Sequence, residues 1–219
     1  MYLVYCEEQI NTFVKATLAA TLLMGATSAH AALLSTNGSL SDQGVAAAII
    51  AAPADANDDA ASNLAIQAFD EAQNVVLSRD IQIDGGMILA GTLVSSHMIF
   101  LNSGPGDDDT RISHGIGGTD AATFTFDGEI LGVMSDKPGA YEVASSDILG
   151  AAGTSYPGAA FNARGMEENP LSGTNNDYYS FFGNTIEVGM LVTEPGDWIR
   201  VVTVSAVPLP ASFLDSYAR

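Results

Sequence analysis

Asp197-Trp198-Ile199-Arg200-Val201-Val202-Thr203-Val204-Ser205-Ala206 is the stretch on which the reading of the fold turns. Its β-branched and aromatic residues, with charge at the start, predict a β-strand. Just upstream, Glu194-Pro195-Gly196-Asp197 places proline at the second position of a four-residue turn. Before that turn, residues 185–193 alternate without fault, with Ile186, Val188, Met190 and Val192 on one side. Two such strands across such a turn predict a hairpin. Downstream, Val207-Pro208-Leu209-Pro210-Ala211 ends the ladder, because each proline lacks an N–H and restricts the residue before it. A folded domain stops here and an extended stalk begins.

Working back from that hairpin, period-two alternation recurs between clusters of Gly, Asn, Asp, Ser and Pro. Residues 45–52 are small and apolar and read as a buried strand stopped by Pro53. Residues 64–73 suggest a short helix, and 75–84 a strand pair or one bent strand closed by Gly85-Gly86. In 91–102, Leu93, Ile99 and Leu101 share a face with His97, while Val94, Met98 and Phe100 take the other. A strand apolar on both faces belongs in the middle of a sandwich. Residues 103–120 form a long polar loop. Residues 123–134 read as a strand with Phe124, Phe126, Ile130 and Met134 on one face. Thr125, Asp127 and Glu129 lie opposite, and Gly128 and Gly132 permit a bulge or close approach. Residues 145–150 suggest one helical turn capped by Ser145 or Ser146 and ended by Gly150. Residues 151–176 are irregular, and 178–182 are aromatic enough for a strand. The expected fold is all-β: a single β-sandwich or jelly-roll-like domain with short helical turns.

The ends carry a different kind of information. Residues 16–26 are a weakly apolar run too short to span a bilayer, followed by Ser28-Ala29-His30-Ala31. Small residues at Ala29 and Ala31 are what signal peptidase reads, so cleavage is expected after Ala31. Residues 1–14 carry Glu7 and Glu8 where a leader begins with positive charge; initiation at Val14 would restore an ordinary leader. The expected organisation is a signal peptide at 1–31, an extracellular β domain at 32–206 and a proline stalk at 207–219. Cleavage leaves 188 residues (219 − 31), enough for one substantial core. It also removes Cys6, and with it disulfides, thiolate metal sites and cysteine nucleophiles. The remaining 6 basic and 24 acidic side chains give a charge of −18. Nucleic acid and anionic lipid are repelled by such a chain.

The stalk Val207-Pro208-Leu209-Pro210-Ala211 resembles the VPLPA variant of the PEP-CTERM sorting motif carried by bacterial exosortase substrates. In that family an apolar membrane segment and a cluster of arginines follow. Here residues 212–219 are neither long nor apolar enough to span anything, so the chain as given holds no stable membrane span. The stretches 96–101, 126–132 and 195–200 are similar to extracellular regions of such proteins. The resemblance implies export to the cell surface or the extracellular matrix and handling by exosortase-like envelope machinery. It implies no known activity.

Candidate chemistry is sparse. Asp107, Asp108 and Asp109, with Asp120 where the loop returns, offer the oxygen donors that calcium takes, although a solvated acidic turn is the more economical reading. Asp55-Ala56-Asn57-Asp58-Asp59 opens like an EF-hand, but Ala60 and Ile66 stand where glycine and glutamate are needed. Ser113-His114 with Asp109 or Asp120 has the composition of a hydrolase triad without a nucleophile elbow. Asp127 and Glu129 are spaced as a glycosidase pair is on a strand face, a spacing common on solvent faces. His97 is a core histidine, and Trp198 stacks with Arg200 at the sandwich edge. The expected function is a non-catalytic structural or adhesive role, with no cofactor and with extracellular polysaccharide as a possible contact. The alternatives are a calcium-dependent carbohydrate-binding module and a carboxylate-based extracellular hydrolase. The leader reading predicts that protein recovered from the medium starts at Ala32. Amino-terminal sequencing checks this, and any start upstream of Ala31 refutes it.

Overall fold

A computed structural model of the chain describes residues 32–57, 60, 63–104, 111–116, 120–166, 177–193 and 196–205. Its strands run in the order β1 (Leu33–Asn37), β2 (Ala48–Ile49), β3 (Gln67–Asp70), β4 (Val75–Val76), β5 (Ile81–Ile83), β6 (Gly86–Ile88), β7 (Leu93–Leu101), β8 (Ile112–His114), β9 (Ala122–Phe126) and β10 (Ile130–Met134). Helix α1 (Ala140–Leu149) follows, then β11 (Tyr178–Phe182), β12 (Thr185–Val192) and β13 (Asp197–Val204). The described residues are all-β apart from this helix.

Two sheets share one core. The first has the order β1-β9-β12-β11, with β8 also beside β12, and is antiparallel throughout. The second has the order β10-β13-β7-β3-β2, with β4 also on β7; only the β2–β3 pair is parallel. Phe124, Phe126, Ile186, Val188 and Met190 of the first sheet meet Ile99, Leu101, Ile199 and Val201 of the second. The alternation of β12 is as expected: Ile186, Val188, Met190 and Val192 all face this core. β7 is the expected central strand, buried from Val94 to Leu101.

The second sheet is covered on its other face too. Leu77, Ile81, Ile88, Val94, Met134, Leu149 and Val202 gather under the β5–β6 hairpin and α1. Ala56, Phe69, Met98, Phe100 and Trp198 gather beneath Tyr156 and Phe161. Between these clusters lies a linear chain of four charges. Arg200 of β13 presents Nε and Nη2 to Glu71 at 2.7 and 2.8 Å, and Nη2 also lies 3.2 Å from Glu142 of α1. Glu142 in turn receives Nε and Nη2 of Arg164. Ser96 and Tyr156 donate to Glu71 at 2.6 and 2.7 Å, and Ser146 donates to Glu142 at 3.0 Å. All four charged side chains are sealed from solvent. Burial works against the Arg200 charge, but Glu71 and Glu142 outweigh it and hold its pKa above the ordinary guanidinium value. Glu71 and burial likewise push the Tyr156 phenol far up.

Several expectations change. Residues 64–73 contain β3 rather than a helix: Ala68 and Phe69 alternate between the two cores because β3 pairs with central β7. The loop at 103–120 contains β8, whose Ile112 and His114 are buried. Residues 123–134 are not one strand. β9 and β10 lie in different sheets, and the chain crosses at Gly128, where a Cβ would collide with the Val204 carbonyl oxygen. Residues 45–52 hold only the short, half-buried β2. The helical turn is a ten-residue helix. Its start is capped by Asp136, which accepts from the amides of Ala140 and Tyr141 at 2.7 and 3.1 Å. Ser145 lies inside the helix and accepts from Arg200 at 2.7 Å, so it is no cap, whereas Gly150 does end the helix. β12 and β13 do not form a hairpin; the segment between them crosses from one sheet to the other, and residues 194 and 195 lie outside the described residues.

Removing one member of a buried ion network strands its partners in low dielectric, at a cost of about 3–5 kcal/mol. Glu142→Ala is expected to lose that much in urea unfolding. Arg79→Ala, which breaks an exposed pair with Asp147, is expected to change little. Equal effects would refute the assignment.

Candidate functional site

Among the described residues no apolar cluster gathers on the outer face of the first sheet, as two do on that of the second. Residues opposite each other in an antiparallel pair share a face, so the register lays out this surface in rows. Ser35, Thr125, Thr185 and Phe182 form one row, and Asn37, Thr123, Glu187 and Ser180 the next, with Tyr178 beyond. At the usual strand spacing a row spans ~14 Å. Thr125 and Thr185 bring their hydroxyls to 3.4 Å, and the Tyr178 hydroxyl donates to Ser180 at 2.9 Å. Phe182 is 91% exposed at the margin. A shallow groove of about 460 Å³ runs along this margin, lined by Ser180, Phe182, Asn184, Thr185 and Glu187 among others. The two rows are rich in hydroxyl groups, are edged by aromatic rings and carry one carboxylate, Glu187.

A second cleft, of about 320 Å³, lies between the β5–β6 turn and α1, lined by Asp84, Ser135, Asp136, Lys137, Tyr141 and Met166. Its carboxylates are already committed. Asp84 accepts from the Ser135 hydroxyl at 2.7 Å and from the Tyr179 hydroxyl at 2.8 Å, while Asp136 caps the helix. Burial and the Asp84 charge push the Tyr179 phenol well above its ordinary range. Neither carboxylate is left unbonded to act as a base.

The residues singled out from the sequence do not assemble into one site. Asp107, Asp108 and Asp109 lie outside the described residues, as do Ala29, Ala31 and the stalk Val207, Pro208, Leu209, Pro210 and Ala211. Asp120 is exposed at φ 57°, and its carbonyl accepts from the Ser39 hydroxyl at 2.5 Å. Among the described residues no three of His, Cys, Asp or Glu are grouped to hold a metal ion, and no helix is long and apolar enough to cross a membrane. Asp127 and Glu129 are not paired on a strand face. They flank the crossover at Gly128, and Asp127 accepts from the Ala32 amide at 2.8 Å. Asp55 closes an Asx turn on Asn57 at 3.0 Å.

Both described histidines are structural. His97, fully buried, bonds through Nδ1 to Asp70 at 2.7 Å and through Nε2 to Thr203 at 3.1 Å. Asp70 also accepts from the Leu33 amide, so this group ties the two sheets together. His114 accepts from the Ile66 amide at Nδ1, 3.2 Å away, which places its proton on Nε2, donating to the Ser39 carbonyl at 2.9 Å. With both nitrogens engaged by backbone, His114 cannot activate Ser113. Trp198 donates to the Ala56 carbonyl at 2.8 Å, and the Arg200 guanidinium lies over Tyr156 instead of Trp198.

The sequence reading missed two features. The charge network was invisible because Glu71, Glu142, Arg164 and Arg200 are far apart in the chain. The sheet face was half visible, in the polar positions of β9 and β12. No known family model, characterised protein or solved structure matches the chain.

Burial lowers the His114 pKa from its ordinary 6.5, against the raising effects of the Ser39 bond and the Asp42 charge. The unfolded chain therefore binds this proton at a higher pH than the folded one. The contribution of neutral His114 to stability is fully present above pH 6.5 and is lost as pH falls from there towards the folded value. His114→Gln can keep both bonds without a titrating proton. Between about pH 7 and about pH 5 its urea stability is expected to fall less steeply than that of the parent, by at most about 1.4 kcal/mol per pH unit. Parallel profiles would refute this.

Proposed function

We propose that the chain is an exported bacterial surface or extracellular-matrix protein with a non-catalytic, adhesive role, and that it holds neutral polysaccharide on the outer face of its first sheet. The observation that carries this is the lattice of Thr123, Thr125, Thr185, Ser180 and Asn37, flanked by Tyr178 and Phe182. Sugar rings offer an apolar C–H face and a rim of hydroxyls. Aromatic rings at the margin cover the first, and side-chain hydroxyls and amides bond the second. A sheet face suits an extended chain better than a single sugar, which needs an enclosing pocket.

Two further features support the reading. The groups that would serve acid–base chemistry are held in structural bonds: His114 by backbone, Asp84 by Ser135 and Tyr179, and Asp127 by Ala32. The Ala32 amide, which a cut after Ala31 would turn into the amino terminus, faces the Asp127 carboxylate at 2.8 Å. An ammonium formed there would meet an opposite charge, so the fold is suited to leader removal at this bond. The motif Val207–Ala211 then serves as the tag read by exosortase-like machinery.

Affinity electrophoresis against neutral and acidic polysaccharides tests the binding. Retardation by a neutral β-linked polymer is expected. Tyr178→Ala with Phe182→Ala should weaken it roughly tenfold, as two stacking contacts of about 0.5–1.5 kcal/mol each would. Leu89→Ala, an exposed apolar residue off this sheet, should leave binding unchanged. No retardation by any polymer, or retardation indifferent to the double substitution, overturns the proposal.

A further inference from the structure

β11 is a regular strand at one end of the first sheet. β11 pairs with β12 through all five residues without a bulge, and among the described residues no strand pairs with its other side. The edges at β1 and β10 are protected. β1 bulges between Leu33 and Ser35, and the Leu33 amide is taken by Asp70. Beside β10, the Asp84 amide bonds the Val133 carbonyl, and the Ile130 amide bonds the Gly183 carbonyl. β11 has none of the devices that blunt an edge: no lysine, no proline, no bulge. It carries no charge in a chain of net charge −19. Phe181 and Phe182 are 43% and 91% exposed.

The sequence of this strand, Tyr178-Tyr179-Ser180-Phe181-Phe182, is aromatic-symmetric about Ser180. We propose that two copies of the chain pair antiparallel through β11, edge to edge, about a two-fold axis at Ser180. Tyr178 of each copy then stands opposite Phe182 of the other, and Tyr179 opposite Phe181, so every cross-strand position except the Ser180–Ser180 pair on the axis holds an aromatic pair. The contact is isologous and closed, so it ends at a dimer rather than a fibre. Charge permits it. The carboxylate flanking Ser180 is Glu187, and two copies of it would lie three strand spacings apart, ~14 Å, beyond the ~8 Å over which charges are felt in physiological salt. The two outer faces become one continuous sheet surface, with Tyr178 and Phe182 of both copies at its centre. A five-residue edge falls short of the ~800 Å² per partner of a standard interface, so the dimer is weak.

Sedimentation equilibrium on the purified protein, without any glycan, tests this. A monomer–dimer equilibrium with a Kd on the order of 10⁻⁴ M is expected. Ser180→Lys and Ser180→Glu each place like charges on the axis, and each should be monomeric where the parent dimerises. Mixing the two should restore the dimer, a result that only pairing centred on Ser180 gives. Phe182→Ser, at a side chain almost wholly exposed, should raise the Kd about tenfold without changing the melting temperature. A parent monomeric up to about 1 mM overturns the proposal. So does a dimer indifferent to Phe182→Ser, or folded Ser180 variants that fail to complement each other. Dimerisation goes beyond polysaccharide binding and needs none of it, so either can fail while the other stands.

Discussion

A single guanidinium dictates much of this architecture. Arg200 sits in the middle of β13, a strand buried from Asp197 to Thr203. A charge removed from water there costs several kcal/mol unless it is paired and its donors are filled. Glu71, just past the end of β3, supplies one carboxylate and Glu142 of α1 the other. Glu142 then needs a second cation, because it too is buried, and Arg164 provides it. Arg164 fills its remaining donors with the carbonyls of Pro157 and Ala159, both at 2.6 Å, which pins the irregular segment after the helix. Each charge is tolerable only when the next is present. The helix and the segment at 151–166 are therefore held by the same chain of charges.

That chain of charges also explains why the two sheets differ. The second sheet carries charge and apolar mass on its outer face, so it must be covered: α1 and the β5–β6 hairpin lie over one apolar cluster, Tyr156 and Phe161 over the other. The first sheet carries threonine, serine and asparagine on its outer face and needs no cover. β7 and β13 are buried on both sides, whereas β9 and β12 are buried on one side only. The two sheets are joined through the shared core and through His97, whose bond to Asp70 is continued to β1 by the Leu33 amide.

The division was partly written in the sequence. β7 and β12 were legible because their alternation is strict and their length exceeds any turn. The false hairpin between β12 and β13 shows what local pattern omits. The two strands have different amphipathicity: Thr185 and Glu187 make β12 one-sided, while Trp198, Ile199, Val201 and Val202 make β13 apolar on both sides. Strands that differ in this way belong to different environments, and that contrast outweighed the turn signal of Pro195 and Gly196. Similarly, residues 123–134 read as one strand because Phe124, Phe126, Ile130 and Met134 keep phase. The break lies at Gly128, where the chain changes sheets against the Val204 carbonyl. The β5–β6 hairpin had its signal in Asp84-Gly85, a dipeptide suited to a two-residue turn. β3 and β8 are too short for periodicity to register, and only their tertiary partners make them strands. The charge network around Arg200 left no local trace, since its members are joined by space alone.

Where the charges lie bears on what the outer face of the first sheet can hold. Of the described cations, Arg164 and Arg200 are consumed inside the buried chain of charges and Arg79 is paired with Asp147. Arg111 and Lys137 are left to offset the acidic surface. The whole chain carries a net charge of −19, and most polyanions are repelled on approach. Polycations are attracted, but to the acidic loops and not to the first sheet, whose outer face contributes only Glu187. A neutral chain feels neither force. It is sorted by shape and hydrogen bonding, for which a field of hydroxyls with rings at its margin is suited. With Glu187 the one carboxylate in its two rows, this face is nearly neutral, and the neutrality of β11 extends that character up to its edge.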